Sequence, residues 1–189
     1  MEILTRRFRL RDFTAADAAA FRAYHEDPRY RALYGDGIAD AAPGLLQQFI
    51  AWAAEKPRRN FQFAVTEREA PGRLIGCAGL RQAGFAPGQA EFGLELAADQ
   101  WGRYGCAIEV ATALLRFGFG TLALDCIHGA SVPGRVDRLA AWFGASAGKP
   151  GTAADGSVTQ PWRIVQAQWA AHEARPRHAM TLERRQAKA

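Results

Sequence analysis

Long apolar runs are what this 189-residue chain most plainly lacks. No stretch reaches the roughly 18 consecutive apolar residues that a bilayer-spanning helix needs. Cysteine is scarce: Cys77, Cys106 and Cys126 are odd in number and far apart, which speaks against a disulfide framework and for reduced thiols. There is no Cys-x-x-Cys or His-x-x-x-His spacing, so no metal site is expected. The phosphate-binding patterns Gly-x-Gly-x-x-Gly and Gly-x-x-x-x-Gly-Lys-[Ser/Thr] are absent too. Neither a helix-turn-helix nor an interleaved basic–aromatic stripe is visible, so nucleic acid is not an expected partner. No apolar core follows the charges of Met1–Arg7, and the expected location is the cytoplasm.

What is present is an ordinary globular composition, 49% hydrophobic and 23% charged. The length fits one domain, expected over residues 1–175 and followed by a basic tail over 176–189 that carries Arg184, Arg185 and Lys188. The net charge is +5, with Arg6, Arg7, Arg9 and Arg11 close together. A positive field of this kind suits a polyanionic ligand such as a nucleotide.

Periodicity divides the chain. Residues 3–10 read as one extended segment, with Leu4, Phe8 and Leu10 on one face. Thr14 with Asp17 three residues on forms a capping-box signal for a helix running to about His25, where Asp27-Pro28 interrupts it. A second helix is expected from about Pro43 to Glu55. Strands follow at 61–65, 73–80 and 90–96; in the last, Phe92, Leu94 and Leu96 alternate with Glu91, Gly93 and Glu95. A helix from about Gly105 to Phe119 carries Ile108, Ala111, Leu115 and Phe119 at helical spacing. A strand at 124–131 and a helix after Val132-Pro133-Gly134, capped by Gly144, come next. Residues 145–160 read as an irregular loop, and residues 164–172 as a last strand with Trp169 in the core. The sum is a mixed α/β chain with helices packed on a sheet.

Chemistry concentrates at the turn Trp101-Gly102-Arg103-Tyr104-Gly105-Cys106-Ala107. Glycines at the start of a helix leave backbone N–H groups exposed where the helix dipole is positive, a combination that binds phosphate without a lysine. Arg103 can add a charged donor. Taken alone, such a turn serves geometry as readily as binding. Tyr30, Tyr34 and Trp52 can line a pocket or simply fill the core, and Cys106 reads as a small space-filling residue.

The run from Ala90 through Leu96, followed by Gln100-Trp101-Gly102-Arg103-Tyr104-Gly105-Cys106-Ala107-Ile108-Glu109-Val110, resembles the acetyl-CoA motif of the GNAT N-acetyltransferases. The ribosomal-protein-alanine acetyltransferase-like subgroup is the nearest match. The opening Thr5–Asp17 and the segment Leu139–Ala145 are similar to that group as well. Tyr104 stands as one extra residue within the usual motif, and Val132-Pro133-Gly134-Arg135 occupies a place where the family often has Asn.

The resemblance implies a GNAT fold: a central, mostly antiparallel twisted sheet of six to seven strands flanked by about four helices. It implies acetyl-CoA as cosubstrate, no metal, and a primary amine as acceptor. That amine is a protein N-terminus or a small molecule, and the protein is compatible with a homodimer. The turn 101–107 then holds the pyrophosphate, and backbone N–H groups near Leu94 and Leu96 hold the pantetheine and the thioester carbonyl. Glu91 matches the family's strand glutamate and is the first choice of general base; Glu95 is the second. The helix after Ser131 offers no Ser or Tyr to protonate the leaving thiolate. The alternative is therefore a GNAT-fold protein that binds acetyl-CoA for a regulatory role without turnover.

Overall fold

The structure, a computed structural model, describes residues 1–35, 37–152 and 156–174. These residues form nine strands and six α-helices grouped into two compact units.

The first unit comprises Met1–Ala83 and Phe92–Arg116. Its strands β1 (Glu2–Leu4), β2 (Phe8–Asp12), β3 (Asn60–Glu67) and β4 (Leu74–Arg81) pair antiparallel in that order. The last five residues of β5 (Gln89–Leu96) belong here as well, and β5 lies next to β4. Helices α1 (Ala18–His25), α2 (Pro28–Tyr34) and α3 (Ile38–Ala54) share a core with Phe13, Ala64, Leu74 and Cys77. Phe21, Tyr24, Tyr30 and Phe49 are its aromatic members, and rings of this size each stabilise the fold by about 2 kcal/mol or more when removed from water. Helix α4 (Tyr104–Arg116) follows β5 and buries Ile108, Ala111 and Leu115, the face its periodicity predicts.

The second unit holds Gly84–Glu91 and the chain from Phe117 on. There the first residues of β5 pair in parallel with β6 (Cys126–Ser131), at Gln89↔Cys126, Ala90↔Ile127 and Glu91↔His128. Helix α5 (Pro133–Phe143) ends on Gly144, whose φ of 71° is the left-handed cap that the sequence predicts. Two-residue strands β7 (Ser146–Ala147) and β8 (Gly151–Thr152) pair with β9 (Val158–Val165), which also runs antiparallel to β6. Helix α6 (Gln166–Glu173) closes the described chain.

The mostly antiparallel mixed α/β arrangement agrees with the sequence reading, while several elements differ from it. Residues 3–10 form a hairpin rather than one strand, because the Thr5 N–H donates to the Phe8 carbonyl and the Phe8 N–H donates back to Thr5 Oγ1, closing a turn. Asp27-Pro28 starts a helix as well as ending one: the Asp27 carboxylate accepts the Arg29 N–H at 2.8 Å, and proline fits the first helical position. Helix α3 begins five residues before Pro43 and carries that proline inside it. The end of α4 loosens into a π-helical turn at Phe117–Thr121, so Phe119 is buried outside the regular helix. Residues 145–160 contain the short strands β7 and β8, and the start of β9. Trp169 is in the core as expected, but on a helix; Gln168 reaches back to accept the Val165 N–H and starts α6 there. The strand and helix counts exceed the expected six to seven and about four because of these short elements. The basic tail 176–189 lies outside the described residues.

Candidate functional site

The strand β5 delivers the chain into the turn through a single 3-10 turn at Ala98–Gln100. Gln100 and Cys106 are buried, and the Cys106 thiol lies 3.8 Å from Gln100 Oε1, which anchors the turn from below. The Trp101 indole N–H donates to the Leu96 carbonyl at 2.9 Å and ties the turn to the end of β5, where Leu94 and Leu96 are half-buried. Gly102 sits at φ 77°, a region that costs a side-chain-bearing residue about 1–2 kcal/mol. Arg103 is exposed, and Ala107 is half-buried.

Gly105 differs from Gly102. Its backbone is not in the left-handed region, and an added Cβ would meet only Arg7 Nη2, at 3.5 Å. The fold itself thus leaves room for a methyl group there. Gly105 is exposed in the first turn of α4; the Cys106 N–H of that turn donates to the Arg103 carbonyl at 2.8 Å, whereas the Gly105 N–H has no partner along the helix.

Arg7 is a cation the motif does not contain. It lies in the β1–β2 turn and is held by Glu109 of α4: its Nε donates to Oε2 at 2.8 Å, and its backbone N–H donates to Oε1 at 2.7 Å. Thr5 Oγ1 donates to the same Oε1 at 2.7 Å. Burial pushes the Glu109 carboxyl up, but the bonds from Thr5 and Arg7 outweigh it and hold the group below the usual carboxylate range. The result is a fixed guanidinium above the positive end of α4, next to Gly105.

The two candidate carboxylates occupy different surroundings. Glu95 accepts a hydrogen bond from the Tyr30 hydroxyl of α2. Burial, then the charge of Glu95, pushes the Tyr30 phenol well above its usual range, so it stays protonated as a donor. Burial likewise pushes the Cys77 thiol to about 12 and the Tyr24 phenol upward, with the Glu95 charge adding to both. His25 is buried against Tyr24 and Tyr30, its Nδ1 2.7 Å from the Phe21 carbonyl, and burial lowers its pKa. Glu91 is half-buried and stands opposite His128 in the β5–β6 register; the His128 ring packs edge-on against Phe85 at 4.6 Å. Two neighbours shape β5 near Glu95. Gly76 of β4 passes so close that an added Cβ would lie 2.1 Å from the Glu95 carbonyl, and the Arg81 guanidinium lies over Gly93.

Tyr30 is fully buried, whereas Tyr34 and Trp101 beside it are 41% and 39% exposed. The Tyr30 ring centroid is 4.5 Å from that of Tyr34 and 6.4 Å from that of Trp101. Trp52, by contrast, packs on Phe49 at 5.6 Å as a core residue. The sequence points to Tyr30 only as a general candidate and to Arg7 only as one of a run of arginines with a positive field. The Thr5-x-Arg7 opening and Glu109 were visible signals, but their pairing across 102 residues was not. No group of three or more potential metal ligands occurs among the described residues.

Three comparisons bear on this arrangement. The family model described as "Acetyltransferase (GNAT) domain" matches residues 7–141. A protein of Bacillus licheniformis described as "Uncharacterized N-acetyltransferase p20" is 29% identical over 132 residues, covering 68% of this chain and 72% of its own. Among solved structures, a GNAT-family acetyltransferase from Bacillus anthracis superposes with a TM-score of 0.70 at 18% identity, over 88% of this chain and 99% of the other. The spermidine N-acetyltransferase of Vibrio cholerae, solved with CoA and spermine, gives 0.68 at 16% identity over 86% and 98%.

Proposed function

The chain belongs to the GNAT acetyltransferase superfamily, and from that premise we propose that it transfers an acetyl group from acetyl-CoA to a primary amine. The acceptor is a small-molecule amine or, as the likeness to the ribosomal-protein-alanine group implies, a protein N-terminus. The observation that carries the reading is Gly105: its neighbourhood has space for a Cβ, yet it stands at the mouth of α4 beside a fixed guanidinium. Acetyl-CoA phosphates fit this place, held by the Gly105 N–H, Arg7 and Arg103. Trp101, Tyr104, Cys106 and Ala107 complete the turn, and the backbone at Leu94 and Leu96 carries the pantetheine arm.

The chemistry follows from the groups around Glu95. An ammonium acceptor gives a proton to a strand carboxylate and becomes a nucleophile. Its nitrogen lone pair attacks the thioester carbonyl carbon, and the C–S bond breaks. The second nitrogen proton leaves with the sulfur, which departs as the CoA thiol. Holding the two substrates together supplies much of the acceleration. We assign the base role to Glu95, because Tyr30 fixes its Oε2 and leaves Oε1 for the substrate proton; Glu91, the motif's own glutamate, is the rival. Comparing Glu95→Gln with Glu91→Gln separates them. We expect the Glu95 change to lower kcat about 100-fold with acetyl-CoA affinity kept, and the same loss confined to Glu91→Gln overturns the assignment.

The same reading takes residues 1–175 as the catalytic domain. It also places the protein in a reducing, cytoplasmic setting, supported by three unpaired thiols, and allows a homodimer. CoA-thiol release from acetyl-CoA with any amine distinguishes an enzyme from a protein that only binds the cosubstrate.

A further inference from the structure

The side chains around Glu95 on the first unit show a polarity that acetyl transfer alone does not require. A carboxylate sits at the end of a row of aromatic rings: Tyr30 bonds Glu95 through its hydroxyl, and Tyr34 and Trp101 lie against the Tyr30 ring with their own surfaces partly open. Neither exposed ring is placed there to fill the core, which Tyr30 already does with 1% exposure. Exposed aromatic faces near a carboxylate attract cations, through the ring quadrupole and through charge.

We propose, building on the acetyltransferase reading, that the acceptor is a diamine-type cation. Its reacting nitrogen meets Glu95 and its second, unreacting ammonium rests at the rim formed by Tyr34 and Trp101. A chain of a few methylenes joins the two nitrogens, one at the carboxylate that Tyr30 bonds and one at the rings whose centroids lie 4.5 and 6.4 Å from that of Tyr30. The methylenes lie along ring surface, and the distal nitrogen stays partly in water. An acceptor with a carboxylate at its far end sets an anion against the ring faces, whose quadrupole repels it. Tyr30 is a positioning residue in this scheme, because it acts on the substrate through Glu95.

The test compares two amines of equal length. With saturating acetyl-CoA, CoA-thiol release is followed for 1,5-diaminopentane, for n-pentylamine and for a short peptide with an N-terminal alanine. The diamine is expected to exceed n-pentylamine at least about tenfold in kcat/KM. Tyr34→Leu is expected to remove most of that ratio, and Tyr34→Phe, which keeps the ring, to retain it. Equal rates for the two alkylamines, or a peptide that outperforms the diamine, overturn the inference and leave acetyl transfer standing. A diamine preference untouched by Tyr34→Leu overturns the role of the rings. No thiol release with any of the three overturns both the inference and the reading beneath it.

Discussion

At the scale of single residues, the two glycines of the turn answer different demands. Gly102 is required by its backbone, since φ is 77°; Gly102→Ala is expected to destabilise by about 1–2 kcal/mol in denaturant unfolding. Gly105 is under no such constraint. Gly105→Ala should leave unfolding stability within about 1 kcal/mol of the natural protein, or raise it, because alanine favours helix. Acetyl-CoA affinity should nevertheless fall at least about tenfold, as a Cβ intrudes where a phosphate approaches the backbone. A glycine whose replacement harms binding but not folding is a glycine kept for a ligand. Gly76 is the reverse case: its Cβ would lie 2.1 Å from the Glu95 carbonyl, so Gly76→Ala should destabilise by about 3 kcal/mol or more and lower the melting temperature clearly.

At the scale of elements, three pieces converge on β5 and the turn: the β1–β2 turn through Arg7, helix α2 through Tyr30, and helix α4 through Glu109. The Glu109 contacts carry a pH signature. Its pKa is lower in the folded chain than in the unfolded one, so its stabilisation is complete above the unfolded carboxylate value. It is lost as pH falls through the folded value. Thermal unfolding followed from neutral to acid pH should show a drop below about pH 4.5 that Glu109→Gln reduces, with that variant less stable by about 2 kcal/mol at neutral pH. Helix α2 depends on its first residue. Asp27→Ala removes the N-cap and should cost about 1 kcal/mol, and kcat should fall as well because Tyr30 rides on that helix.

The strand and helix of the turn were legible in the sequence because their signals are local: Phe92, Leu94 and Leu96 alternate, and glycines precede a helical stripe. Helix α2 was not legible, since seven residues beginning at Asp27-Pro28 read as a break. The Tyr30–Glu95 bond joins residues 65 apart, and the Arg7–Glu109 pair residues 102 apart, so neither follows from any window of sequence. For the same reason the motif favours Glu91, whereas the geometry around Glu95 supports a different base.

At the scale of the whole molecule, a chain of net charge +5 meets a cosubstrate rich in negative charge. Part of the attraction is long-range and screened by salt, so the KM for acetyl-CoA should rise several-fold between about 0.05 and 0.5 M salt. The KM for n-pentylamine, which carries one positive charge, should change far less over the same range. The family match over residues 7–141 establishes the class of protein. The central claim built on it is that the turn at 101–107 binds acetyl-CoA at Gly105. Calorimetric titration of acetyl-CoA into the natural protein and into Gly105→Trp tests it most directly. The expected result is saturable one-to-one binding in the natural protein and none in the folded variant. Equal affinity in the two, or no binding to the natural protein at millimolar acetyl-CoA, would contradict it.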